Sequence, residues 1–244
     1  VARSLFSWVT LGSQKLLGIG THLKFYIEQG GVYYDITPLR ATVSLTDPFT
    51  TVSGSTTVTV TDAAGGYKNN DFVTFSGASA VGGLTLNGEF QITYLTGNTY
   101  TITASEAASS SATGGGSVSA AYQINTGPSI AEALVGWGAG GWSLGTWGSG
   151  VTSTDALRLW TQSNFGEDLI FAARGGSLFF WDATDALTTR GVLLSSETGA
   201  SNVPVKVNTL LVSDNRFVFC FGTNVLGSTD LDPLLLRWSD QENA

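Results

Sequence analysis

The 244-residue chain is poor in the residues that most often do chemistry. It has one cysteine, one histidine and no methionine, and only 12% of its residues are charged. A lone cysteine forms no internal disulfide, and Cys220 with His22 supplies no zinc-ligand set. No run of about 18 apolar residues is present, so no transmembrane helix is expected. The N-terminal residues lack the basic, apolar and small-residue segments of a signal peptide. The formal net charge is -8, which makes the chain a poor general binder of nucleic-acid backbone. Apolar residues nevertheless make up 42% of it, too many for intrinsic disorder. The missing methionine, and an end that follows directly on an apolar run, lead to the expectation of a fragment of a longer polypeptide.

Short runs rich in Val, Ile, Thr, Phe and Tyr, bounded by Gly, Asn, Asp and Ser, fill most of the sequence. This is the strand-and-turn pattern of an all-β protein. Only Ser129–Val135 and, more weakly, Ser105–Ser111 offer helical turns. Residues 45–124 contain no Trp and no Arg, whereas the flanks carry both. The composition therefore divides the chain into 1–44, an insert at 45–124, and 125–244.

The insert alternates with period two: Thr57-Val58-Thr59-Val60-Thr61, Phe72-Val73-Thr74-Phe75, Glu89 to Tyr94, Thr99 to Thr103 and Ser117 to Tyr122. Strands this short and closely spaced predict a small barrel, with Thr outside and Val, Ile, Tyr or Phe inside. The stretches Gly66-Tyr67-Lys68-Asn69-Asn70-Asp71-Phe72-Val73-Thr74-Phe75, Gly83 to Gly88, Phe90-Gln91-Ile92 and Asn98 to Ile102 resemble the β-barrel half-domain beside the first catalytic-cysteine region of ubiquitin-activating enzymes. That half-domain has no catalytic residue, so the resemblance implies a scaffold and no ubiquitin chemistry.

In the flanks, three segments share a layout of apolar strand, tight turn, aromatic strand and third strand. They start at Lys15, Asp168 and Asn208, and Leu157-Arg158-Leu159-Trp160 is a candidate fourth strand between units. Meandering units of about 40 residues are what β-propeller blades look like. The continuous apolar runs Leu169–Ala172 and Leu210–Val212 predict strands buried on both faces. Three blades do not close a ring of the usual four to eight, so the expected fold is a partial or shared β-propeller with an inserted small β-barrel.

Four stretches carry a second resemblance: Leu17-Gly18-Ile19-Gly20-Thr21, Tyr33 to Arg40, Asn164 to Leu169, and Asp232 to Asn243. Together they resemble the tail nozzle, or tail tubular, proteins of short-tailed bacteriophages. The resemblance implies a non-enzymatic structural protein of the virion tail. Its partners would be copies of itself and other tail or portal-adaptor proteins, with DNA passing through without sequence readout. A receptor- or glycan-binding tail-fibre or tailspike module is the alternative.

No cofactor or metal is expected. Glycoside hydrolysis needs two carboxylates about 5 to 9.5 Å apart, and Asp182, Asp185, Asp214, Glu167, Asp168, Asp230 and Asp232 are candidates. The plainer reading puts Asp182 and Asp214 in turns, bonding their own backbone. Asp230-Leu231-Asp232 has oxygens suited to Ca²⁺ but no supporting loop motif. His22 falls in a hairpin turn without a nucleophile motif, and Cys220 lies inside an aromatic strand, where a thiol is inert. Gly114-Gly115-Gly116 precedes a strand, so it is no phosphate loop. Trp137, Trp142 and Trp147 recur in a glycine-rich run. They read as a subunit-interface loop, a sugar-stacking loop, or indoles folded back on the protein's own edge.

Overall fold

The sequence contains two kinds of strand, alternating and continuously apolar, and they occupy different parts of the chain. A computed structural model describes residues 1–63, 66–127 and 157–242. Among them every regular element is a β-strand except one 3-10 turn, Leu194–Ser196, and the fold is all-β. No helix among the described residues is long and apolar enough to cross a membrane. Ser129–Val135 lies outside them. Ser105–Ser111 is a loop, because its backbone bonds elsewhere: Ala108 N–H donates to Ser55 O and Ala108 O accepts from Gly54 N–H.

The chain divides into two compact units, residues 1–36 with 127–244, and residues 37–126. The second unit begins several residues before the composition shift at residue 45. Strand β5 (Leu39–Thr46) pairs along β13 (Ser117–Gln123) from Leu39 onward, which draws Arg40 into this unit.

The second unit has two antiparallel sheets. One runs β5, β13, β8 (Phe72–Ser76), β9 (Gly88–Gln91); the other runs β10 (Thr93–Thr96), β11 (Thr99–Thr103), β7 (Thr57–Thr61), β6 (Phe49–Thr51), β12 (Ala112–Gly114). The alternation works as read. Val58 and Val60 are fully buried and Thr57 and Thr61 are exposed. The small closed barrel does not form; two sheets share one core around Phe49, Phe75, Tyr100 and Tyr122. The reason is visible in Glu89–Tyr94, which the period-two pattern reads as one strand. It breaks at buried Ile92, whose N–H donates to Asp71 O and whose carbonyl accepts from Asn70 N–H. The chain passes there from one sheet to the other, as corners of crossed sheets do.

The first unit is three antiparallel meanders. The first is β1 (Ala2–Val9), β2 (Lys15–Thr21), β3 (Phe25–Gln29), β4 (Val32–Asp35). Gly30 and Gly31, both at positive φ, make its two-residue turn, the conformation glycine takes at least cost. The second is β14 (Trp160–Phe165), β15 (Asp168–Ala173), β16 (Leu178–Trp181), β17 (Val192–Leu193). The third is β18 (Val207–Val212), β19 (Val218–Asn224), β20 (Leu231–Trp238). Each first strand packs on its neighbour, β1 against β14 and β14 against β18.

β14 faces both ways. Trp160 and Gln162 point to the first meander: Trp160 Nε1 donates to Thr21 O (2.6 Å) and Gln162 Nε2 to Ser4 Oγ (2.7 Å) and Gly18 O (3.2 Å). Thr161 and Ser163 point to the third: Leu210 N–H donates to Thr161 Oγ1 (3.0 Å) and Val212 N–H to Ser163 Oγ (3.4 Å). The link Leu157–Trp160 thus leads into the first strand of its meander, ahead of the expected starting strand Asp168–Ala173. That strand, β15, is buried on both faces as its sequence reads. Phe171 stacks on Phe25 (centroids 4.3 Å) toward one side, while Ile170 and Ala172 join Leu210 and Cys220 on the other. Leu210–Val212 differs from expectation. Leu210 is buried but Leu211 is 53% exposed, because among the described residues β18 has a meander on one side only.

Gly18 and Gly20 in β2 explain how Trp160 and Gln162 come so close. A Cβ on Gly20 would lie 2.5 Å from Trp160 Cγ and 2.8 Å from its Cβ. Replacing a strand glycine by alanine ordinarily favours folding by about 0.5–1 kcal/mol. Overpacking costs about 1–3 kcal/mol and wins here. Gly20→Ala is therefore expected to destabilise the protein by about 1–3 kcal/mol in urea unfolding, whereas Gly97→Ala, with open space around it, is expected to lie within about 0.5 kcal/mol of the parent.

Candidate functional site

The 1–2 turns of all three meanders fall at one end of the first unit, because each meander enters in the same direction past its neighbour. The segment after β16 reaches the same end. Together these turns form a cleft of about 700 Å³. Its wall includes Leu11 of the first meander, Glu167, Asp168 and Asp182 of the second, and Asp214 and Arg216 of the third. Four of the seven carboxylates read from the sequence as candidates are thus brought together. Asp185, Asp230 and Asp232 do not line the cleft.

Most of these groups bond backbone. Asp182 Oδ1 accepts from Thr184 N–H and Thr184 Oγ1, both at 2.7 Å, the turn chemistry its position implies. Asp168 Oδ1 accepts from Ala183 N–H at 2.9 Å, tying the β14–β15 hairpin to the segment after β16. Glu167 Oε1 accepts from Leu11 N–H, and Glu167 O accepts from Trp8 Nε1 at 2.7 Å. Burial raises the Asp168 carboxyl above its ordinary range; the Ala183 N–H opposes this, and the charges of Asp182 and Glu167 add to it. A carboxyl held upward by burial among other acidic side chains is a common setting for proton transfer. Among the described residues no group of three or more His, Cys, Asp or Glu is placed to hold a metal ion. Sequence reasoning named these carboxylates singly. That they share a cleft follows from the parallel entry of the three meanders, which the residues alone do not announce.

The other candidates are placed as follows. Asp232 Oδ1 accepts from Leu234 N–H at 2.9 Å, so one of the oxygens considered for Ca²⁺ caps the start of its own strand. Burial lowers His22, with the N-terminal amine and Arg3 adding to the effect. Cys220 is buried and desolvation pushes its thiol up to about 12. Gly114-Gly115-Gly116 precedes β13, as its sequence context implies, although Gly114 itself also ends β12. Trp137, Trp142 and Trp147 lie outside the described residues.

In the second unit a buried polar network had no signal beyond the tyrosines themselves. Tyr100 and Tyr122 share a hydrogen bond between hydroxyls (2.7 Å), and Tyr122 donates to Asp62 Oδ2 (2.6 Å). Tyr67 donates to Asp62 O at 3.1 Å. Desolvation raises all three phenols, Tyr67 to about 12. The fully buried Asp71 accepts from Lys68 N–H (2.7 Å) and Thr126 N–H (2.8 Å). It fastens the end of the unit to the loop before β8. These groups satisfy one another inside the core, which is a structural role.

Two measurements follow. A carboxyl raised in the folded state binds more protons when folded than when unfolded between its two pKa values. Its contribution to stability therefore falls as pH rises through that window. Asp168→Asn keeps an acceptor for Ala183 and lacks this loss, so its stability relative to the parent is expected to rise in thermal melts as pH climbs from the ordinary carboxylate range through the raised pKa of Asp168. For Cys220, a thiol near 12 against about 8.5 in an open chain leaves about a thousandth of the usual thiolate at pH 8. Iodoacetamide labelling of the native chain is expected to be about a thousandfold slower than in denaturant.

No family model matches the chain, and no curated protein matches it. The two family resemblances rest on the stretches quoted for them. Among solved structures the chain is similar to Phage phi92 endosialidase, with 15% identity and a TM-score of 0.31 over 97% of this chain. It covers 37% of that protein's chain. A superposition of that quality defines no shared fold, and that protein's activity does not transfer on it.

Proposed function

We propose that this chain is a structural protein of a bacteriophage tail, of nozzle or tail-tube type, and forms part of an oligomeric conduit for DNA. The observation that carries the reading is the set of three meanders packed first strand on first strand, with apolar residues exposed on the outer meanders, Leu5 and Val9 on the first and Leu211, Phe221 and Trp238 on the third. Successive antiparallel meanders packed in this way are what blades of a β-propeller look like, which supports the reading of a blade-built wall. The motif stretches that carry the nozzle resemblance have physical duties in these meanders. Gly18 and Gly20 admit Trp160 and Gln162. Glu167 and Asp168 lock the hairpin at the cleft. The stretch from Asp232 supplies most of β20.

In this role the work is mechanical. Sheets on sheets give a stiff wall, and a net charge of -8 disfavours phosphate binding that would retard passing DNA. The second unit, inserted in the chain between the first and second meanders, serves as a scaffold module. A second reading, a glycan-directed tail-fibre module, is favoured by the acidic cleft with its raised Asp168 carboxyl. Polysaccharide turnover or retention lost in Asp168→Asn would move the assignment there.

Imaging of intact particles carrying a label on this chain tests the main reading. Density at the distal end of the tail, in a ring about the DNA path, is the expected outcome. Label on the capsid, or only at fibre tips, would sink the conduit.

A further inference from the structure

We infer that the second unit binds an extended peptide segment of another polypeptide, one in which basic residues alternate with small apolar ones, in the groove where its two sheets part at Ile92. The inference goes beyond the scaffold role given to this unit above and rests on neither the meanders nor the phage assignment.

The corner leaves two ladder positions without mates. β10 and β11 are paired from Thr93 opposite Thr101 to Thr96 opposite Thr99. Carried two residues further, the same register would set Gln91 opposite Thr103. The chain instead turns at Ile92, and Gln91 lies in β9, paired with β8. Main-chain groups along a strand point alternately to its two edges. Ala104 N–H donates to Thr56 O, on the β7 side. Thr103 therefore turns its N–H and C=O to the opposite edge, which β10 has left. Ile92 N–H donates to Asp71 O, on the β8 side, so Gln91 turns its own groups away from β8. Tyr94 has the parity of Ile92, and its N–H likewise leaves the β11 ladder, donating to Asn69 Oδ1 at 3.1 Å. Among the described residues no main-chain partner meets Gln91 or Thr103 at these edges.

A groove of about 630 Å³ is lined by the residues on both sides of this gap. Leu84, Leu86, Ile92 and Ala104, all buried, supply its apolar floor. Its charged residues are Glu89 and Glu106, and among the described residues no Lys or Arg lines it. Open ladder groups at a strand edge are a template for an added strand. Strand addition takes affinity from main-chain bonds and specificity from alternate side chains. A strand in the place that β10 vacates points successive side chains to the floor and to solvent. The floor takes small apolar side chains, and the carboxylates favour Lys or Arg at the positions between them. A sugar chain has no row of alternating donors and acceptors to meet the ladder positions at Thr103 and Gln91.

The probe is the blocked hexapeptide Lys-Val-Lys-Val-Lys-Val, added to the full chain and read by amide hydrogen exchange at single residues. In the free chain the amides of Gln91 and Thr103 are expected to exchange faster than those of Phe90 and Ile102, which bond within their sheets. Saturating peptide is expected to slow Gln91 and Thr103 at least about tenfold. A Glu-Val peptide of the same length is expected to bind at least about threefold more weakly, and Glu106→Lys, at an exposed position, is expected to remove that preference. Equal protection of all four amides in the free chain would overturn the inference. So would a Lys-Val peptide that protects neither Gln91 nor Thr103, a preference that survives Glu106→Lys, or protection of the two amides by maltohexaose and not by the peptide. Particle imaging that places the chain off the tail would fail the conduit and leave these exchange results standing.

Discussion

The first unit depends on one strand facing two ways. β14 presents Trp160 and Gln162 to the first meander and Thr161 and Ser163 to the third, an alternation that follows from the two-residue period of a strand. On one side an indole and a carboxamide sit over Gly18 and Gly20 and also hydrogen-bond Thr21 O, Ser4 Oγ and Gly18 O. On the other, hydroxyls bond backbone of β18 at Leu210 and Val212, beyond the bridge between Val207 and Gly176. A slip of one residue in β14 would exchange the two sets and leave Trp160 against the β18 backbone. The registers of all three meanders are therefore coupled through a single strand.

The polar residues follow a common rule. Carboxylates that look available in the sequence are mostly engaged with backbone N–H groups: Asp182 with its own turn, Asp168 with Ala183, Asp232 with Leu234, Asp71 with Lys68 and Thr126. Chain reversals leave amides without ladder partners, and a carboxylate nearby meets that need at little entropic cost. The acidic cleft arises as a by-product, since the turns that need such acceptors gather at one end of the unit. Its chemistry is that of negative charge partly withdrawn from water, most strongly at Asp168.

Several features were legible because they depend on neighbours in sequence. The all-β class, the Thr-out and Val-in alternation of β7, the two-face burial of β15 and the Gly30-Gly31 turn all follow from residue type and period. The break at Ile92 was not legible, because Glu89–Tyr94 alternates without interruption and the corner is made by backbone bonds to Asn70 and Asp71. Leu211 misled for the opposite reason. An apolar run states what a strand can bury, and which faces are covered depends on what lies beyond it. Among the candidate acids, each residue was visible and their grouping was not.

Local pattern thus determined the strand content, the turns and the faces each strand would hide if given a mate. Tertiary structure decided which mates exist: that β14 and not β15 leads its meander, that the expected barrel is two sheets joined at a corner, and that Leu211, Phe221 and Trp238 of the third meander are exposed. The physical reason is range. Periodicity and turn chemistry act over a few residues, whereas sheet-on-sheet packing joins positions such as Gly20 and Trp160, whose fit depends on volumes that no local window contains.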